Sequence, residues 1–458
     1  MNNKDLGPVV GKLSKSFSGR LLLSGDPGYD EVRKVHNGLV DKRPALIARC
    51  RGVADIRDAI RTARALDLEI AVRGGGHNVA GRAVVDGGLM LDLSLMKGIQ
   101  VDVRRRVVRA EGGVTWAEFN RETQVYDLAT TGGVVSSTGV AGFTLGGGLG
   151  WLMGRYGLAV DNLLGVEMVD AEGRILRANA EENENLYWAV RGGGGNFGVA
   201  ARFDFRAHPL GMVTAGLVAH PFSVAREVLQ YYRELTSSPP EDLTVFAGLL
   251  HAPDGSGAKL AGIVLCHCGS PAEGEAAVRP VKRFGSPVLD TIGPMDYCTL
   301  NSFMDPAFPK GAFNYWKSSF LSQLDDTAID TLIECFARCP STMSQISLEH
   351  LHGAAVRPHV SDTAFPHRSP GYNLLVLSQW SEAARHASGI AWARETYGAM
   401  QPFMATTRYV NYLDQDEPID TVAAAYGVNY SRLQQVKAKY DPENVFHLNQ
   451  NIRPPARA

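Results

Sequence analysis

With 458 residues, 45% of them hydrophobic and 21% charged, the chain has the makeup of an ordinary globular protein and is long enough for two domains. Its 46 Lys and Arg against 48 Asp and Glu leave a formal net charge of -2, which argues against a nucleic-acid or membrane partner held by bulk charge and for small molecules. The start, MNNKDLGPVVGKLSKSFSGRLLLSG, lacks the basic flank, long apolar run and cleavage site of a secretory signal, and no later run approaches a membrane span, so a cytoplasmic location is expected.

In chain order, VADIRDAIRTARAL carries Val53, Ile56, Ile60 and Ala63 on one helical stripe, and EIAVR then reads as a strand. That strand delivers the chain into RGGGHN, residues 73–78, where three consecutive glycines cost chain entropy unless the backbone itself has a task. Behind the loop, LMLDLSL and IQVDVRRRVVRAEGG read as strands, and the next helical pattern is TWAEFNRETQ. A Walker phosphate loop needs Gly-Lys-Ser/Thr at the head of a helix and is excluded.

A second glycine-dense tract runs from Thr130 to Gly165, and its interleaved Val, Leu, Phe and Trp mark a compact buried path, not a linker. RGGGGNFG then offers a G-x-G-x-x-G match at Gly193, Gly195 and Gly198. Helix-like NENLYWAV precedes it and alternating VAARFDF follows it, the reverse of a dinucleotide-binding fold.

From about Pro209 the pattern changes to strands such as LAGIVLCHC, QISLEHLHG and YNLLVLSQW, alternating with amphipathic helices. This is a second domain of mixed α and β structure, with a cleft for ligand against the first. Six cysteines are too few for a disulfide scaffold. Neither Cys266-His267-Cys268 nor the Cys335/Cys339 pair has zinc spacing, so packed thiols and no metal site are expected.

AVRGGGHNVAG, GGVVSSTGVAGFTLGGGLGWLMGRYGLAVDNLL, LYWAVRGGGGNFGV, NYWKSSFL, AFPHR and YDPENVFHLNQNI, in this order between about Pro44 and Pro454, resemble the berberine-bridge-enzyme-like FAD-linked oxidases of the vanillyl-alcohol-oxidase superfold. The resemblance implies a two-domain α+β fold: an FAD-binding domain over residues 40–210, a substrate domain over 211–410 with a large antiparallel sheet covered by helices, and a C-terminal segment, 411–458, returning to the FAD domain. It also implies that backbone N–H groups of Arg73, Gly74, Gly75, Gly76, His77 and Asn78 cradle the FAD pyrophosphate. His77 is then the residue joined covalently to the methyl on the dimethylbenzene ring. Val135 stands where many relatives carry a second, cysteinyl attachment, which leaves a single bond through His77.

By the same resemblance Thr138 lies over the oxygen-reactive edge of the flavin, where its small side chain favours an oxidase; packing under a tight turn is its other use. Gly139, Gly142, Gly146, Gly147 and Gly148 let the chain pass close to the flavin, with Asp161 and Asn162 anchoring that passage. Val199 contacts the adenine half, and Asn449 and Asn451 share one face of a terminal extended segment.

Flavin oxidation needs hydride transfer and loss of one proton from the substrate heteroatom. In TRYVNYLD, alternation puts Tyr409 and Asn411 on one face and Tyr412 on the other, and relatives use a tyrosine of this motif, often as phenolate. The helper acid or base that relatives carry after AFPHR is replaced by Asn373 and Leu375. His350 and His352 share a strand face that could compensate, with Glu349 expected to point the opposite way, and Lys317 sits either toward the cleft or beside Trp316 as a packed cation.

The resulting expectation is an FAD-dependent oxidase acting on a small alcohol, hemiacetal or cyclic amine, with dioxygen as the second substrate. The missing helper base tilts it toward an amine or an already acidic hydroxyl. A dehydrogenase with another electron acceptor, or a flavin-binding protein without turnover, stays open at this point.

Overall fold

The computed structural model describes residues 6–414, 416 and 419–455; the expected end of the C-terminal segment at 458 lies outside the described residues. A four-stranded sheet runs in the order Arg20–Leu22, Leu46–Arg49, Leu89–Asp92, Ile70–Arg73. Its last three strands are parallel, and helix Val53–Ala65 makes the crossover that parallel pairing requires, burying Ile56, Ala59, Ile60 and Ala63. Arg20–Leu22 pairs antiparallel with Leu46–Arg49, so this unit begins before residue 40.

Beyond Ile70–Arg73 the chain crosses residues 74–88 without a helix. A Cβ on Gly75 would lie 2.3 Å from the Gly139 nitrogen, and one on Gly139 equally close to the Gly75 nitrogen. The two glycine tracts therefore meet backbone against backbone, a contact no side chain permits.

Beside this unit stands an antiparallel five-stranded sheet, Ile99–Asp102, Val107–Glu111, Val199–Arg206, Leu163–Val169 and Ile175–Asn179 in spatial order. Helix Trp116–Gln124 opens on a capping box between Thr115 and Glu118 and buries Trp116 and Phe119 edge-on to Phe205 or to each other. Helix Glu184–Val190 precedes the glycines at 192–195 and strand Val199–Arg206 follows, the order that sets this loop apart from a dinucleotide-binding turn.

The rest of the chain up to Trp380 builds one large antiparallel sheet. Its long strands are ordered Val213–Pro221, Lys259–His267, Leu243–His251, Gln345–Leu351, Gly371–Trp380, Phe313–Leu321. Helices Ala225–Leu235, Asp326–Ala337 and His386–Met400 cover one face through residues such as Tyr232, Ile329 and Trp392, packed on Ile346, Leu348, Leu374 and Val376. The opposite face looks onto the glycine tracts. Cys266 and Cys268 are buried free thiols in one apolar cluster on that side.

Helix Tyr430–Tyr440 returns the chain to the first unit, packing on Glu184–Val190. The fully buried Lys437 Nζ donates to Asp441 Oδ2 at 2.7 Å, to the Asn196 carbonyl at 2.7 Å and to the Phe446 carbonyl at 2.9 Å, which fixes the terminal segment against residues 195 and 196.

Candidate active site

A long cavity separates the glycine tracts from the open face of the large sheet. At one end it is lined by Gly74, Gly75, Gly76, His77 and Asn78, and among the described residues the N–H groups of residues 75–78 have no hydrogen-bond partner. A row of bare amides at the end of a strand forms an anion-binding concavity. Arg82, which lies in no motif of the sequence, lines the same end with a buried Nε that has no partner among the described residues. Gln450 lies there as well, its buried Nε2 also without a partner among the described residues. Arg73 does not line the cavity; its guanidinium sits beside Asp92 and bonds the Val32 carbonyl.

His77 forms the cavity wall next to this cradle. Its Nε2 is 2.9 Å from Ser137 Oγ, and Thr138 Oγ1 is 3.4 Å from Nδ1. Burial, with His36 and Lys310 nearby, pushes its pKa down to about 3, so the imidazole is neutral and keeps a lone pair at physiological pH. Val135 also lines the cavity, and none of the six cysteines does.

In the second tract, Thr138, Gly139 and Gly142 line the cavity. Thr138 also closes a turn through its N–H to the Val135 carbonyl, so cavity wall and tight turn are one position. Gly146, Gly147 and Gly148 do not line the cavity. They lie behind it, where a Cβ on Gly146 would fall 2.0 Å from Asn411 Oδ1 and one on Gly147 2.6 Å from the Phe365 ring.

Asp161 and Asn162 are likewise off the cavity wall. Asp161 takes a bidentate pair from Arg368 at 2.7 and 2.8 Å, and Asn162 Nδ2 donates to the Tyr156 and Leu158 carbonyls, both at 2.9 Å. Val199 points its side chain into the core with Ile56 and Ile60; its neighbours Gly198 and Ala200 line the cavity instead. In the terminal segment Asn449 lines it, donating to the Gly195 carbonyl at 2.9 Å, and Asn451 does not.

At the far end stand Tyr409, Asn411 and Tyr412. Residues Val410–Tyr412 form a single 3-10 turn, not an extended strand, so both tyrosines reach the cavity. The Tyr409 Oη accepts from the Gly148 N–H and from Asn411 Nδ2, each at 2.9 Å, and its ring meets that of Tyr412 edge-on at 4.9 Å. Burial pushes both phenols up, the direction opposite to the lowering that a phenolate requires.

The titratable group missing from the expected position is present on the neighbouring strand. Glu349 pairs in register with Asn373 and lines the cavity, in line with Gln345 and Ser347 on the same strand face. Its Oε2 accepts from Asn373 Nδ2 at 2.6 Å and its Oε1 from the Tyr412 hydroxyl at 3.1 Å. Burial pushes its pKa up to about 7, against the opposing pull of those two donors. His350 and His352, expected to be the compensating pair, are instead absent from the cavity wall: they stack on each other with ring centroids 5.2 Å apart, and His350 lies 5.1 Å from the Tyr372 ring. Lys317 also faces away, its Nζ 2.7 Å from Asp416 Oδ1, while Trp316 lines the cavity.

This architecture has solved counterparts. The crystal structure of 6-hydroxy-D-nicotine oxidase from Arthrobacter nicotinovorans superposes with a TM-score of 0.86 at 28% identity, over 95% of this chain and 98% of that one. A berberine-bridge-enzyme-like protein of Physcomitrella patens matches over the full length of both chains with a TM-score of 0.88 at 22% identity, a likeness of fold alone. Residues 44–179 match the model of the FAD binding domain and residues 408–453 the berberine and berberine-like model. In sequence, the chain is 30% identical to an FAD-linked oxidoreductase of Dictyostelium discoideum, over 97% of each. It is 30% identical to the (R)-6-hydroxynicotine oxidase of Paenarthrobacter nicotinovorans, over 96% of this chain and 97% of that one.

The chain is a berberine-bridge-like FAD-linked oxidoreductase. As a member of that family it binds FAD, and its own residues fit the cofactor: the free amides of 75–78 and the Arg82 guanidinium, whose Nη1 donates to the Leu448 carbonyl at 3.4 Å while its Nε has no partner among the described residues, suit a diphosphate. The Gly75–Gly139 contact brings the two glycine tracts together as one backbone wall of the cavity beside His77. Among the described residues no helix is long and apolar enough to cross a membrane.

Proposed function

We propose that this protein is an FAD-dependent oxidase that takes a hydride from a small, largely apolar substrate carrying an alcohol, hemiacetal or cyclic amine, with Glu349 accepting the substrate proton. The observation that carries this reading is a buried carboxylate on the cavity wall with its pKa at about 7. A general base is most effective when its pKa lies near the working pH, and a carboxylate buried in a cavity with no cationic partner is a candidate for that role. With Glu349 as the base, the reason for favouring an amine over an ordinary alcohol falls away.

Bound FAD supplies the hydride acceptor and, with dioxygen as the proposed oxidant, hydrogen peroxide as the second product. The protein's residues do the rest. Trp316, Phe246 and Leu375 give the substrate end apolar walls that exclude water, and the Trp316 indole is fixed by its N–H to Asn314 Oδ1 at 3.1 Å. Tyr412 and Asn373 orient the Glu349 carboxylate so that a substrate O–H or N–H meets a fixed oxygen. The Gly148 amide and Asn411 lock Tyr409 as a phenol whose own proton is available to the substrate.

His77 is the proposed point of covalent attachment: a neutral, edge-held imidazole on the cavity wall supports it, and the absence of a cavity cysteine supports a single bond. A cytoplasmic location fits six free thiols.

The test is a screen of aryl and alicyclic alcohols, sugars and cyclic amines for peroxide release in air, with anaerobic bleaching of the flavin as the parallel readout. Bleaching and peroxide with one of these classes are expected. Bleaching without peroxide would replace the oxidase by a dehydrogenase, and neither would leave a binding protein.

A further inference from the structure

We propose that His36 is a positioning residue for His77, fixing the plane of its imidazole for attachment to the flavin; the role rests on the covalent reading above. The two rings stack, with centroids 3.9 Å apart and 23° between their planes. His36 is buried and lies in KVHNG, a stretch outside every recognised motif that precedes the matched FAD-binding region at 44–179.

The backbone holds His36 there from both sides. Its N–H donates to the Gly76 carbonyl at 3.0 Å and its carbonyl accepts from the Gly311 N–H at 2.9 Å. The next residue repeats the link: Asn37 Nδ2 donates to the Val79 and Asn314 carbonyls, both at 2.8 Å, while its Oδ1 accepts from the Asn314 N–H at 2.9 Å. Residues 36 and 37 thus stitch the His77 loop to the start of strand Phe313–Leu321 on the large sheet.

A stacked ring adds what the other contacts of His77 lack. Ser137 and Thr138 grip the edge of the imidazole, but the torsion that turns a histidine ring is broad and soft, so edge contacts leave its plane free to rock. A flat neighbour against one face removes that freedom while His77 keeps its place on the cavity wall. Nucleophilic attack gains from such pre-alignment because the orientation has been set before the reactants meet. The flanking glycines make the need acute, since the loop itself supplies no side-chain support at Gly74, Gly75 or Gly76.

Attachment replaces one methyl C–H and one imidazole N–H by a single C–N bond, and the two electrons and two protons released pass to dioxygen as hydrogen peroxide. His36 takes no part in that exchange beyond holding the ring.

The experiment compares the purified holoprotein with His36→Leu, which fills the space without a flat face, and His36→Phe, which restores one. The readout is the fraction of flavin that stays with acid-precipitated protein and its mass on the His77 peptide, with thermal melts to establish folding. His36→Leu should hold about threefold or more less covalent flavin than the parent, and His36→Phe should recover most of it. Equal covalent flavin in the folded Leu variant overturns the proposal, as does a folded Phe variant no better than Leu. Should the parent itself release all its flavin into the acid supernatant, the covalent reading fails first, and the variants need not be made to know it.

Discussion

The two walls of the cavity are built by opposite means. On the glycine side, the cavity is lined by the side-chain-free Gly74, Gly75, Gly76, Gly139 and Gly142 around His77 and Thr138, and the close approach of Gly75 to Gly139 leaves no room for a Cβ on either. On the sheet side, Gln345, Ser347 and Glu349 present side chains from alternate positions of one strand, and their neighbours Ile346 and Leu348 serve the helical layer behind. The first wall binds through groups every residue has. The second performs chemistry through one carboxylate, and a shift of one residue would hand that chemistry to the core.

The sharpest way to break this contrast is to neutralise the sheet side. Glu349→Gln should lower the rate of anaerobic flavin reduction by about 10²–10⁴-fold, the span expected for a lost general base. In the parent, reduction should rise with pH through about 7, because Glu349 must be ionised to accept a proton. In the Gln variant this inflection should vanish.

Stability should move the other way. A carboxyl raised from 4.5 to about 7 binds its proton more tightly folded than unfolded, so its contribution is intact below pH 4.5 and is lost as pH rises through 7, by about 3 kcal/mol in full. Glu349→Gln should therefore melt above the parent at pH 8 and level with it at pH 4.5. A parent that melts higher at pH 8 would sink the assignment.

On the glycine side, Gly75→Ala should cost about 1–3 kcal/mol of stability, as overpacking does, and sharply reduce the flavin retained per protein, read by melting and by absorbance. The same contrast explains what the sequence disclosed. RGGGHN announces its task because glycine is expensive wherever backbone is not needed, and the strand before it, the absent helix after it and the reversed G-x-G-x-x-G all followed from local pattern.

SLEHLH announces nothing of the kind. Three titratable residues stand together, and only the pairing of Glu349 with Asn373 across two strands decides which of them enters the cavity. Tyr409 and Tyr412 were placed on opposite faces by assuming a strand, where the chain makes a 3-10 turn. His36 was invisible for the same reason as Glu349, since its partner is 41 positions away and the contact is tertiary.

A subtler perturbation keeps the base and removes its support. Asn373→Leu deletes the 2.6 Å donor to Glu349 Oε2, which stabilises the ionised form. The midpoint of the pH–rate profile should move up by about one unit, slowing the enzyme about fivefold at pH 7 and hardly at all at pH 9. A uniform loss at every pH would mean that Asn373 shapes the pocket instead of tuning its acid.

The smallest effect belongs to the residue next door. His350 is buried against His352 and Tyr372, its Nδ1 has no partner among the described residues, and burial pushes its pKa down to about 3. A base with that pKa would be ready throughout the neutral range and would give no inflection near 7. His350→Leu, a change of similar volume on the helical side of the sheet, should leave kcat/KM within about twofold and the inflection where it was. If the folded variant lost more than tenfold, or if its profile flattened, the strand would be phased the other way, and the acid–base work would pass from Glu349 to the imidazole beside it.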